Sequence, residues 1–258
     1  MKSIKCYLAL VVILTGVLLS TGHLFAEDEK PTCDASLAAY SQYIWRGYEF
    51  SKDSVVFFPS MTVSYKGFAF NIWGDLDTDF VGAAIDNGTE MFETDYVLTY
   101  KNSVSILNYT LGWIYYDVDG GEDQEAYVVL GLDTLLAPEI SVWRGIEHTD
   151  SWYFKFALSH SFELQNKWSV NVGAWVAYYD IPDGDLITGD DYSEWHDATI
   201  WAALNIPLTD WCTLTPSINY SFALSSKSQD QIETANLNFA NDEESNFIYG
   251  GVTLAVSF

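Results

Sequence analysis

The sequence predicts an all-β fold, an antiparallel transmembrane β-barrel of 12 strands with short periplasmic turns and longer, acidic extracellular loops. Three observations lead there. Apolar and polar residues alternate with period 2 over most of the chain, the pattern of strands with two different faces. The connections between these segments alternate short and long, as turns and loops do on an even-stranded barrel. The chain also closes on an alternating strand whose last residue is Phe258. An aromatic end suits a strand that seals a barrel and is read during assembly.

Taken in order, the alternating segments are residues 34–46, 55–66, 67–77, 90–101, 103–116, 124–134, 138–147, 151–163, 167–179, 193–206, 211–225 and 245–258. Each approximates the roughly 9–11 residues that a tilted strand needs to cross a bilayer. In 151–163, Trp152, Phe154, Phe156 and Leu158 alternate with Tyr153, Lys155, Ala157 and Ser159. In 167–179, the apolar set Trp168, Val170, Val172, Ala174, Val176 and Tyr178 alternates with a mixed set that includes Asn171, Trp175 and Tyr179. Residues 211–225 set Leu214, Ile218, Tyr220 and Phe222 against Thr215, Ser217, Asn219 and Ser221. Aromatics bracket an aliphatic middle on the apolar face, the girdle expected where a lipid-facing surface meets two interfaces. In 245–258 the apolar face carries Ile248, Val252, Leu254, Val256 and Phe258, so Phe258 should close against the first strand on the lipid side.

The short connections are residues 66–67, 101–103, 135–138, 164–167 and 207–210, and the longer ones 49–54, 77–90, 117–123, 180–192 and 226–244. The brief link at 147–150 is an exception. Residues 117–123 superficially resemble a calcium loop but lack its twelve-residue spacing, and read instead as a hairpin tip.

The start of the chain has the layout of a secretory signal peptide over residues 1–26, with the barrel over 27–258. Lys2 and Lys5 precede an apolar run at 7–19, and Ala26 supplies a small residue for cleavage. That run is shorter than the roughly 20 apolar residues of a spanning helix. The expected location is the bacterial outer membrane. Removing Lys2 and Lys5 from 11 basic residues leaves nine against 36 acids, a net charge of −27. Such acidity excludes a nucleic-acid partner, which needs a basic footprint. No metal-binding or redox spacing of cysteines is present, and no cofactor is implied. Cys33 and Cys212 both fall near the periplasmic rim, either bridged to each other across the closing seam or as two free thiols.

Candidate site residues face the lumen. The tripeptide Trp45-Arg46-Gly47 recurs as Trp143-Arg144-Gly145, six strands apart in a ring of 12. Strand parity places Trp45 on the outer girdle and Arg46 inward. In the segment 138–147 Ile140 and Val142 compete with Trp143 for the lipid face, and a bulge there would let Arg46 and Arg144 form opposed positive points inside an acidic mouth. The alternative is that each pairs with a neighbouring carboxylate such as Glu93, Asp95 or Glu147. Lys155, Trp73 and Trp175 complete the pore-lining set, and the inward aromatics would narrow any passage.

Ser36-Leu37, Tyr43-Ile44-Trp45-Arg46-Gly47, Pro59-Ser60, Gly67-Phe68 and Trp73-Gly74 resemble the opening of the proteobacterial TorF family of porins, over about the first third of the mature chain. That resemblance implies an outer-membrane channel. Twelve strands lie between the filled eight-stranded barrel and the wide sixteen-stranded porin, which predicts a narrow path for passive diffusion of small solutes or ions. The expected partners are outer-membrane lipid, the barrel-assembly machinery through Phe258, and the solute or ion; an oligomer is also open. Two other readings remain: a barrel enzyme of phospholipase type, with His196 near Ser193 and Asp197 as its best base, or a structural or adhesive barrel acting through loops such as 226–244.

Overall fold

A computed structural model describes residues 30–80, 88–119, 121–182, 191–240 and 242–258. The expected signal peptide, residues 1–26, lies outside the described residues.

Twelve strands close into one antiparallel barrel: β1 (Thr32–Tyr40), β4 (Val56–Tyr65), β5 (Phe68–Phe80), β6 (Gly88–Val104), β7 (Leu107–Val118), β8 (Gly121–Leu132), β9 (Glu139–Gly145), β10 (Trp152–Glu163), β11 (Ser169–Ile181), β12 (Tyr192–Pro207), β13 (Cys212–Ala223) and β14 (Asn246–Ser257). Each pairs with its sequence neighbour, and β1 closes on β14 from Asp34↔Ser257 to Tyr40↔Gly251. Phe258 extends the seam by one residue. Its N–H donates to Cys33 O at 2.8 Å, and the Cys33 N–H donates to Phe258 O at 3.1 Å. Closure leaves no unpaired sheet edge, the condition for strands to cross a bilayer.

The alternation read from the sequence becomes two surfaces. Outward lie Met61, Ile72, Leu98, Leu130, Ile140, Ile200, Ile218 and Leu254, all exposed. Trp152, Trp195 and Tyr220 flank this band toward the loop end, and Phe68, Phe162, Trp168 and Trp211 toward the turn end. An apolar belt of this extent matches hydrocarbon and not water. The fold is that of an outer-membrane β-barrel.

Boundaries moved where local pairing outweighed composition. Residues 101–103 were expected to turn, but β6 continues to Val104, which pairs with Leu107; the turn is Ser105-Ile106, with Ser105 at φ 58°. The Lys66-Gly67 turn stands as expected, both residues having positive φ (51° and 82°), the geometry of a two-residue hairpin loop that matches strand twist. The longer loop expected at 117–123 is not found: β7 runs to Val118 and β8 starts at Gly121, and these two residues pair.

Two corrections concern whole elements. The first strand was expected to run through residue 46, yet β1 ends at Tyr40 and the chain leaves the wall. Residues 226–244 were read as loop alone, but Ser226–Phe239 is a helix, α1. Its N-cap, Ser225, forms a reciprocal capping box with Ser228. A disulfide is also ruled out. Cys33 stands beside Phe258 on one side of β14 and Cys212 opposite Val256 on the other. With one whole strand between them, the two backbones are about 9–10 Å apart, beyond the roughly 7 Å that a bridge can span. Both thiols are free.

Candidate functional site

The lumen is occupied by the chain's own first loop. After Tyr40, residues 41–55 turn inward and form a hairpin of β2 (Ile44–Trp45) and β3 (Tyr48–Glu49). Arg46 and Gly47 form its tip, at φ 50° and 79°. Two consecutive positive φ values make the primed turn suited to tight hairpins, and the glycine accepts its half without strain. Arg46 does not, and the side chain and carbonyl of that residue are held on both sides.

Its guanidinium makes two parallel bonds to Glu125 of β8, Nη1 to Oε1 at 2.8 Å and Nη2 to Oε2 at 2.6 Å, with both side chains almost fully buried. The planar group lies between Trp45 (4.3 Å) and Tyr153 (4.4 Å), with Trp143 and Tyr179 each at 5.7 Å. Fork-to-fork pairing and aromatic faces together suit arginine and not lysine. The Tyr116 hydroxyl donates to Glu125 Oε2 at 2.8 Å. His196 of β12 meets the Arg46 carbonyl through Nε2 at 2.9 Å and the Tyr192 hydroxyl through Nδ1 at 2.7 Å. Because a carbonyl only accepts, the proton sits on Nε2 and Nδ1 accepts from Tyr192.

Helix α1 closes the tip from the loop end. A Cβ added to Gly47 would lie 2.9 Å from Ile232 Cδ1 and 3.2 Å from Asp197 Cβ, so helix and hairpin are in direct contact. The Glu49 N–H donates to Asn236 Oδ1 at 2.9 Å, and Asn236 Nδ2 donates to Glu244 O at 2.8 Å. Lys52 pairs with Asp242 at 2.8 Å. Tyr48, Ile232, Ala235, Tyr179 and Phe247 form the buried apolar core of this plug.

Glu49, which lies outside the spanning strands, is fully buried, and only its Oε1 is engaged, by Gln42 Nε2 at 2.7 Å. Burial, and then the like charge of Asp242, push its carboxyl up to about 7, against the opposing pull of Gln42 and Lys52. A raised carboxyl pKa favours the docked hairpin while Glu49 is neutral, and that contribution is lost as pH rises through about 7. Docking of the hairpin is therefore expected to weaken between about pH 4.5 and pH 7, read as a red shift of tryptophan emission as Trp45 gains water. Glu49→Gln should hold the low-pH behaviour throughout; an unaltered pH response in that variant would remove Glu49 as its source.

Two cavities lie on opposite sides of the hairpin. One of about 380 Å³ is lined by Trp73, Asp95, Trp143, Lys155, Trp175 and Asp197 together with the hairpin. The other, of about 300 Å³, lies nearer the loop end, among Tyr48, Phe50, Phe92, Glu93, Asp123 and Glu125. Tyr43, Trp45 and Tyr116 line both, so these three side chains are the septum between them. The Tyr43 hydroxyl donates to Glu93 Oε2 at 2.9 Å.

The structure brings most of the sequence-predicted site residues together, and separates one. Trp73 stacks on Phe58 with centroids 5.1 Å apart, and Lys155 lies 5.4 Å from the Trp175 ring, both in the lower cavity with Asp95. Glu93 lines the upper cavity. Arg144 departs from expectation. It pairs with Trp152 on the lipid face, stacks on that ring at 5.0 Å, and bonds Asp150 and the Ser151 carbonyl (3.1 Å) near the rim. Its neighbour Trp143 points inward instead and stacks on Tyr127 at 4.0 Å. Opposed lumen arginines are thus ruled out: β9 has no bulge, so Ile140, Val142 and Arg144 share one face. Trp45 likewise belongs to the lumen and not to the outer girdle, because parity counted along β1 ends where the chain leaves the wall. The partner of Arg46 is Glu125, and neither Glu93 nor Asp95.

Glu125 and α1 are the residue and element that sequence reasoning passed over, and His196, which it singles out only as a candidate base, holds the hairpin tip instead. Glu125 and His196 carry no local signal, since each acts on a hairpin far away in sequence. For α1, the Ser225 cap with Ile232 and Ala235 three residues apart was legible. Among the described residues no group of three or more His, Cys, Asp or Glu is arranged to hold a metal ion.

No family model matches the chain, and no curated protein does. Among solved structures it is similar to the NanC porin, with TM-score 0.52 and 9% identity over 87% of this chain and 98% of that one. An outer-membrane channel from Pseudomonas putida F1 also matches, with TM-score 0.45 and 7% identity over 93% of this chain and 100% of that one. Identities this low concern the fold alone, and the NanC match supports the outer-membrane barrel described above.

Proposed function

We propose that this barrel is a narrow outer-membrane channel for small solutes, with a preference for cations, whose path is set by the lumen hairpin. The observation that carries the reading is the pair of cavities, above and below the hairpin, divided only by Tyr43, Trp45 and Tyr116. A barrel built only as a scaffold has no need of open space on both sides of an inserted loop. The cation preference follows from the wall. Asp75, Asp77, Glu93, Asp95 and Asp197 face inward, while the Arg46 charge is matched by Glu125, leaving Lys155 against a carboxylate excess. A low-dielectric channel lined with one sign of charge concentrates the opposite ion. The resemblance to TorF porins and the NanC-like fold agree with this reading.

Against the barrel-enzyme reading, the ring nitrogens of His196 meet the Tyr192 hydroxyl and the Arg46 carbonyl, so the residue serves the hairpin tip. His160 stands on the lipid side, bonded to Leu135 O at 2.6 Å.

In a planar bilayer the purified barrel is expected to show small unitary conductance with cations more permeant than anions, the preference shrinking as salt screens the wall. Silence of both the native barrel and a hairpin-deleted variant would defeat the channel reading. Anion preference would defeat its electrostatic half.

A further inference from the structure

We propose that the upper cavity is a binding site for a small organic cation, an ammonium group carrying an apolar body. The inference deepens the channel reading and rests on it for the site's purpose, while binding itself is measurable without transport. At about 300 Å³ the cavity is at the lower end of small-molecule sites. Its walls are aromatic. Trp45 lies 6.1 Å from Phe50 and 6.3 Å from Tyr116 between ring centroids, and Phe50 lies 6.0 Å from Phe92. These rings pack against one another at tilted or edge-on angles along the cavity wall, and Trp45 already carries the Arg46 guanidinium 4.3 Å from its centroid, the mode in which an ammonium group is held without a metal-like ligand shell.

The titratable groups are of matching sign, and no basic side chain is paired with them among the described residues. Glu93 lines the cavity, with Asp75 directly opposite on β5 and Asp95 two residues along the same strand. Glu93 accepts from the Tyr43 hydroxyl and shares a side-chain hydrogen bond with Asp95, and none of these three acids is within 4.0 Å of a basic side chain among the described residues. Asp75 Oδ1 and Asp95 Oδ1 are buried without a hydrogen-bond partner, on side chains only 1% and 7% exposed. Buried carboxylate oxygen without a partner is costly and is relieved by a nearby cation. A bare metal ion does not suit the place: it asks for six or more oxygen ligands, and no such cluster exists among the described residues. Aromatic walls backed by acid favour a weakly hydrated cation instead. Glu93, Asp95 and the Tyr43–Trp45–Tyr116 septum then place this site directly above the lower cavity, the next station inward.

The test uses the full barrel in detergent, titrated calorimetrically with choline chloride and with its neutral isostere, 3,3-dimethylbutan-1-ol. Choline is expected to bind saturably, and the isostere at least about tenfold more weakly, the loss of a desolvated cation–π and charge contribution. Glu93→Gln, which retains an acceptor for Tyr43, and Phe50→Leu should each weaken choline binding by about tenfold. The proposal is overturned if choline fails to bind a barrel with native heat-dependent gel mobility. Equal affinity for the isostere, or unchanged affinity in both variants, also overturns it. Conductance without choline binding defeats this proposal alone; choline binding without conductance defeats the channel reading alone.

Discussion

Glu125→Gln is expected to destabilise the docked hairpin by about 3–5 kcal/mol, the cost of leaving a buried guanidinium without its counter-charge. Among the described residues Arg46 has no second carboxylate in ion-pair range, and it cannot lose its proton, so the charge must either stay desolvated or leave. The barrel wall does not depend on it, since none of the twelve strands pairs with the hairpin. The expected result is therefore release of the plug with the ring intact. It should be seen as a flickering, larger conductance, with tryptophan emission shifted to the red as Trp45 and Trp143 gain water. The double variant Arg46→Leu with Glu125→Leu should be milder than Glu125→Gln, because it removes both charges at once. Equal or greater damage in the double variant would show that the pair matters for shape and not for charge.

Excising the hairpin is the larger perturbation and the more direct test of what fills the lumen. Tyr40 of β1 pairs with Val56 of β4, so the ends of the inserted loop are already adjacent. Replacing residues 42–54 with a Gly-Ser turn closes that gap without altering any wall register. The two cavities and their septum would then merge, and unitary conductance is expected to rise several-fold while cation preference persists, because Asp75, Asp95 and Asp197 remain on the wall. Unchanged conductance would place the constriction elsewhere. Lost cation preference would assign selectivity to the hairpin.

Barrel and band were legible because they are local. Trp152, Phe154 and Phe156 alternate with Tyr153 and Lys155, and that parity alone sends the first three to lipid and the others to the lumen, where the structure has them. Phe258 reached its place beside Cys33 for the same reason. The errors cluster where the chain stops being a wall. Counting along a strand puts Trp45 outside, and an inward Arg144 needs a bulge added to that count. The count fails for Trp45 because β1 ends five residues earlier, and the bulge is absent at Arg144 because Ile140 and Val142 outrank Trp143 for the lipid face. The recurrence of Trp-Arg-Gly is thus two unlike sites, a hairpin tip in the lumen and a rim residue outside.

Sequence by itself determined the fold class, the lipid-facing belt and the closing seam, since each follows from side-chain alternation at a period of two along one strand. Only the tertiary structure decided that the first loop folds inward and what holds it. Arg46 finds Glu125 79 positions away and His196 150 positions away. Neither pairing leaves a periodic trace, because a buried charge is satisfied by whatever the ring brings opposite it and not by its neighbours in the chain.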